Sequence, residues 1–299
     1  MAQLVLQSPG ILAHQLDRTL ERLLFQESLE LVRALHGLLP DHPGYAAALE
    51  VLEHLVERLG PRFPNRTQRI EAIAEVWKDA RRIIAAEGLT LQTHPFDRLA
   101  HAFHRRFGEL MERAEPGMVL RDTPAGWYLL QADLWEAATR SLEATVQAYP
   151  LSGSFRFMLA QAHTRLAPGS PTARAAYLAA LLVDPASMLL EDVFDPDVRA
   201  LAERVGELEL AGQPQVWMAQ VGLCEGVFDW DQLPGPPIWD GSGVPAGLSG
   251  QAGASMAFLG VLQQHRLDTG RATWQVAEAR RQLKQLAPRL YASCFERQG

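Results

Sequence analysis

Lysine is almost missing from this 299-residue chain: Lys78 and Lys284 are the only two among 28 basic residues. The imbalance reads as coding bias toward arginine. It is not the footprint of a nucleic-acid binder, because the formal net charge is −7 and no basic face is implied. Cysteine is nearly absent as well. Cys224 and Cys294 stand far apart and form no Cys-x-x-Cys pattern, so their spacing predicts no disulfide framework and fits a reducing compartment. Cys224 lies in the apolar run Val221-Gly222-Leu223-Cys224, where a buried structural thiol is expected. No uninterrupted apolar stretch is long enough to cross a bilayer, and residues 1–7 lack the basic start of a signal peptide. These absences predict a soluble, cytoplasmic protein. β-alternation never persists beyond a few residues, which excludes an ordinary sheet.

What the chain does have is apolar residues at helical spacing. Hydrophobic residues make up 47% and charged residues 21%, enough to bury a core. Leu20, Leu23, Leu24, Leu31, Val32, Leu35 and Leu38 recur at threes and fours and predict one helix from about Ile11 to Leu38. Further helices are expected over 45–59, from the cap Asn65 to about 86, and from Pro95 to about 113. Pro124 and Gly126 predict a break over 117–127. Beyond it come helices over 134–148, 153–166, 172–183, 196–204 and 214–225, the fourth capped by Asp195. Residues 228–253 hold four prolines and six glycines and predict an irregular segment, followed by a final pair over 254–266 and 271–296. The expected organisation is therefore N-terminal hairpins over 1–116, repeats over 117–227, an irregular Pro/Gly/Trp-rich segment over 228–253, and a C-terminal pair over 254–299.

The most telling stretch reads Ala173-x3-Tyr177-x2-Ala180-x4-Pro185, and Ala138-x3-Leu142-x2-Thr145-x4-Pro150 repeats its register. The two prolines are 35 positions apart, a period of helix-turn-helix repeats. Small, aromatic and small residues at these offsets share one side of a helix and let a second helix approach closely. On these residues the chain resembles a tetratricopeptide repeat, with Leu159 and Ala160 in the first helix of the matched unit. Arg156 and His163 stand where that family carries aromatics. The resemblance implies an all-α helix-turn-helix array that binds other proteins, without catalysis and without a cofactor: a scaffold or adaptor in a larger assembly, or a secretion or assembly chaperone. The family's clamp for a partner's C-terminus uses lysine and asparagine on first helices. Lys78 and Lys284 lie outside the matched unit, so Arg156 or Arg165 would have to substitute.

Other residues carry competing chemistry. His94, Asp97, His101 and His104 are spaced to share a helix side and would suit a transition metal, the alternative being an all-α metal protein or enzyme. Against this, Phe96, Leu99, Phe103, Phe107 and Leu110 form the buried stripe, which leaves the histidines on its solvated flank. Glu191, Asp192, Asp195 and Asp197 lack the order of a calcium loop, and Asp195 and Asp197 read as a helix cap and a first-turn charge. Phe228, Trp230 and Trp239 sit among prolines and predict either a cover over the chain's own helices or a partner-docking segment.

Overall fold

A computed structural model describes residues 8–59, 65–210, 212–233, 251–267 and 273–295. Among these residues the chain is all-α: fourteen α-helices, three short 3-10 turns and one two-residue hairpin, with contacts chiefly between consecutive helices. No helix among them is long and apolar enough to cross a membrane. The chain forms two compact units, Met1–Thr145 and Val146–Gly299. The sequence places divisions after residues 116, 227 and 253. Contacts instead divide the chain once, because the segment after 116 folds back on the helix before it. The Thr145 hydroxyl donates to the Gly117 carbonyl (3.2 Å), and Glu112 accepts from the Gly117 N–H (2.9 Å) and from the Ser141 hydroxyl.

In the first unit the expected helix over 11–38 is two helices, α1 (Pro9–Glu21) and α2 (Phe25–Leu38). Leu23 takes a left-handed conformation (φ 55°). The Leu24 N–H then reaches the Thr19 carbonyl (3.0 Å) and the Leu23 N–H the Leu20 carbonyl (2.9 Å), which satisfies the end of α1 without a glycine. Helix α3 (Pro43–Leu59) follows. Asn65 caps α4 (Arg66–Ala86) by accepting from the Gln68 N–H (2.8 Å), as its residue type predicts. Helix α5 (Phe96–Ala114) begins after a cis His94–Pro95 peptide.

The expected break at 117–127 is a hairpin, β1 (Val119–Leu120) against β2 (Thr123–Pro124), and helix α6 (Ala125–Gln131) starts directly behind it. Gly126 does not interrupt that helix. It lies inside it, because a Cβ there would come within 2.5 Å of Leu142 Cγ and only glycine permits this approach to α7 (Trp135–Ala148). The unit's core is built on Leu12, Leu16, Leu35, Leu52, Ile70 and Ile84, together with an aromatic layer in which Trp77 stacks on Phe103 (4.1 Å) and Phe103 on Phe107 (5.2 Å).

The second unit opens on the hairpin of α8 (Gly153–Leu166) and α9 (Pro171–Val183), within a residue of the helices expected there. Ser152 and Ser170 cap them by accepting from the N–H groups of Phe155 and Ala173. Ala160, Ala173, Tyr177 and Ala180 are wholly buried in this unit's core, and Leu159 is half-buried. Small side chains bring the helices together, while the Tyr177 ring fills the space beside Phe157 (6.0 Å). The Tyr177 hydroxyl accepts from the Phe194 N–H (3.3 Å), and burial pushes its pKa upward. Pro185 starts a 3-10 turn just past α9.

Asp195 caps α10 (Pro196–Glu207), accepting from the N–H groups of Asp197 (3.0 Å) and Val198 (3.2 Å). Helix α11 (Gln215–Glu225) is followed by α12 (Gln251–Leu267), and Gln220 Nε2 donates to the Ser255 carbonyl (3.0 Å) and hydroxyl (2.7 Å). The single terminal helix expected over 271–296 is again two, α13 (Thr273–Leu286) and α14 (Pro288–Phe295), since Pro288 has no N–H to continue the ladder. Cys224 and Cys294 are joined as a disulfide between α11 and α14, which corrects the expectation of unpaired thiols. Sequence spacing carried no sign of it, because the partners are 70 positions apart and only the packing of the helices brings their Cα atoms to 5.2 Å.

Candidate functional site

The first unit holds a concavity of about 520 Å³. Leu23 in the turn between α1 and α2, Phe25 at the start of α2, Val56 and Leu59 at the end of α3, Ile73 of α4 and Leu110 of α5 form its walls. All six are only half-buried. Leu55, Phe103 and Phe107 close the floor and are buried. The α5 residues follow from one periodicity: Phe103, Phe107 and Leu110 recur at four and three and share a side of the helix. Leu110 belongs to the same stripe as Phe96, Leu99, Phe103 and Phe107, yet stays half-exposed because, among the described residues, no opposing helix fills the space in front of it. Six partly exposed apolar side chains facing one hollow retain unburied surface that a ligand would cover at roughly 25 cal/mol per Å².

The rim is charged and predominantly positive. Arg69, Arg106, Arg113 and Glu109 border the hollow. Glu109 is shared among three guanidinium groups, those of Arg105 (3.3 Å), Arg106 (3.3 Å) and Arg113 (3.8 Å). Arg69 is exposed and has no ion-pair partner among the described residues. One carboxylate thus faces three arginines, with a fourth beside it. The polar groups at the mouth are permanently charged guanidinium donors, one carboxylate and the amide of Gln26. Such a set orients a ligand that carries charge beside its apolar surface.

The four residues of the expected metal face go to different places. His94 lies before α5 and its Nε2 meets Asp17 Oδ1 at 3.0 Å. His101 Nδ1 is 3.9 Å from Asp133, and Asp97 faces Arg98 at 3.7 Å. His104 is not on a solvated flank: it is 7% exposed and ringed by Trp77, Phe103, Trp127 and Tyr128. Burial there, with Arg81 and then His101 adding repulsion, lowers its pKa to about 4. Among the described residues no three His, Cys, Asp or Glu side chains gather as a metal site. The acidic cluster is likewise occupied with structure, since Arg174 contacts Asp197 and lies 3.8 Å from the buried Asp195.

In the second unit Phe228 is buried. Gly222 allows it, because a Cβ at that position would come within 2.4 Å of the ring. Trp230 is half-buried against the same core, while Trp239 lies outside the described residues. Arg156 donates to the Pro150 carbonyl (2.9 and 3.0 Å), and Arg165 sits 3.9 Å from the Phe194 ring centre, so both arginines have partners within their own unit. Sequence reasoning missed the α2–α5 hollow. Its lining is scattered over residues 23–113, and the sole local hint is the arginines at 106 and 113 on the side of α5 that carries Leu110.

No protein-family model, no curated protein and no solved structure matches the chain.

Proposed function

We propose that the chain is a non-catalytic protein-binding scaffold or adaptor whose docking place is the α2–α5 hollow. One observation supports this above the others: six apolar side chains, five from four helices and one from the α1–α2 turn, remain half-exposed in a single concavity. Their exposure makes the hollow an open trough. A small-molecule pocket encloses most of its ligand, whereas a trough suits the side chains of a larger partner. The wholly buried seam of Ala160, Ala173, Tyr177 and Ala180 supports a tetratricopeptide-like hairpin in the second unit, a fold element whose common use is also protein binding. The disulfide bears on location. Such bonds persist in oxidising surroundings, so the expectation of a reducing compartment loses the support it drew from unpaired cysteines.

The test is affinity capture with the intact chain and with an Ile73→Glu/Leu110→Glu variant of unchanged helical content. A protein retained by the first and lost by the second, then rebound in purified form, supports the proposal. Identical retained proteins from both would defeat it.

A further inference from the structure

We infer that the trough takes an acidic amphipathic helix of a partner protein; the inference rests on the trough being the docking place. The walls decide the secondary structure of the occupant. They are helices α2, α3, α4 and α5, and the strands described in this unit are two residues long. Among the described residues there is no sheet edge of useful length to which an extended segment could add, so backbone hydrogen bonds cannot hold one. An extended segment would bring unpaired N–H and C=O groups against Leu59, Ile73 and Leu110, which cannot satisfy them. A helix satisfies its backbone internally and presents only side chains, with apolar residues at i, i+3, i+4 and i+7 to enter the hollow.

The rim decides the charge. Arg106 and Arg113 already share Glu109 with Arg105, so Glu109 cannot neutralise them, and Arg69 has no acidic partner among the described residues. This is a locally positive mouth on a chain of formal charge −7. A partner with glutamate or aspartate flanking its apolar stripe is attracted at the trough and repelled by the chain's net charge elsewhere, which gives orientation as well as affinity. Arginine serves well here because its planar fork donates two parallel N–H bonds to one carboxylate.

The experiment uses the full chain and two labelled synthetic peptides. Both carry leucine at i, i+3, i+4 and i+7; one has glutamate on the flanks and its twin has lysine. Fluorescence anisotropy at low salt is expected to show the glutamate peptide binding about tenfold tighter than the lysine peptide, the gap closing at high salt. An Arg69→Glu/Arg113→Glu variant, altered only at exposed side chains, is expected to reverse the preference. Equal binding of both peptides overturns the acidic inference and leaves the trough as a docking place. Saturable binding of neither peptide overturns both ideas. Binding of oleate, with neither peptide competing, overturns them in favour of an acyl-chain site.

Discussion

The two units solve helix packing in opposite ways. In the first, the long helices α4 and α5 (21 and 19 residues) meet through Trp77, Phe103, Phe107 and the buried imidazole of His104. In the second, the shorter α8 and α9 (14 and 13 residues) meet through Ala160, Ala173 and Ala180, with one tyrosine between them. Large rings hold helices apart, and where the spacing is not filled a hollow remains, as it does beside Leu110. Alanines let helices close up, so little space is left to bind anything. The second unit also carries the covalent tie from α11 to α14. The comparison teaches that the tighter unit suits a rigid support and the looser one is where a ligand can enter.

The comparison breaks most directly at Ala180. Ala180→Glu would force four extra heavy atoms, three of them a carboxylate, into a seam with no exposed surface, costing the second unit about 4 kcal/mol. Hydrogen exchange read separately in the two units should show protection lost in the second and kept in the first. Equal protection throughout would mean the seam is not tight.

A smaller effect is expected from the disulfide. Replacing Cys224 and Cys294 together by serine frees a closed stretch of 70 positions and should cost the second unit about 3 kcal/mol in denaturant unfolding. The first unit's transition should not move.

The smallest effect belongs to the first unit and sharpens the contrast. His104 titrates near 4 when folded and near its ordinary 6.5 when unfolded. As pH falls from 6.5 toward 4 the unfolded chain takes up a proton that the folded chain refuses. Stability present at neutral pH is therefore lost on acidification, by about 2 kcal/mol at pH 5. His104→Gln should flatten this acid limb in thermal melts of the first unit. An unchanged limb would assign it to other groups.

Helix starts and the small-residue seam were legible because their causes are local. Asn65 and Asp195 each satisfy N–H groups two or three residues on, and Ala173, Tyr177 and Ala180 share a helix side by period alone. Helix ends were less legible. Leu23, Asp133 and Glu209 adopt positive φ at helix ends, where glycine would have been the visible sign. The apolar period runs straight through Leu23, so two helices read as one.

The sequence alone determined that this is an all-α chain, where most helices begin, and which alanines are buried in one hairpin. Tertiary structure alone decided the joining of Cys224 to Cys294, the dispersal of His94, Asp97, His101 and His104, the burial of His104, and the trough under the rim of Arg69, Arg106 and Arg113. Caps and periodicity act across a few residues, whereas these features join side chains tens of positions apart. Their positions follow only once burial of the two cores has brought the helices together.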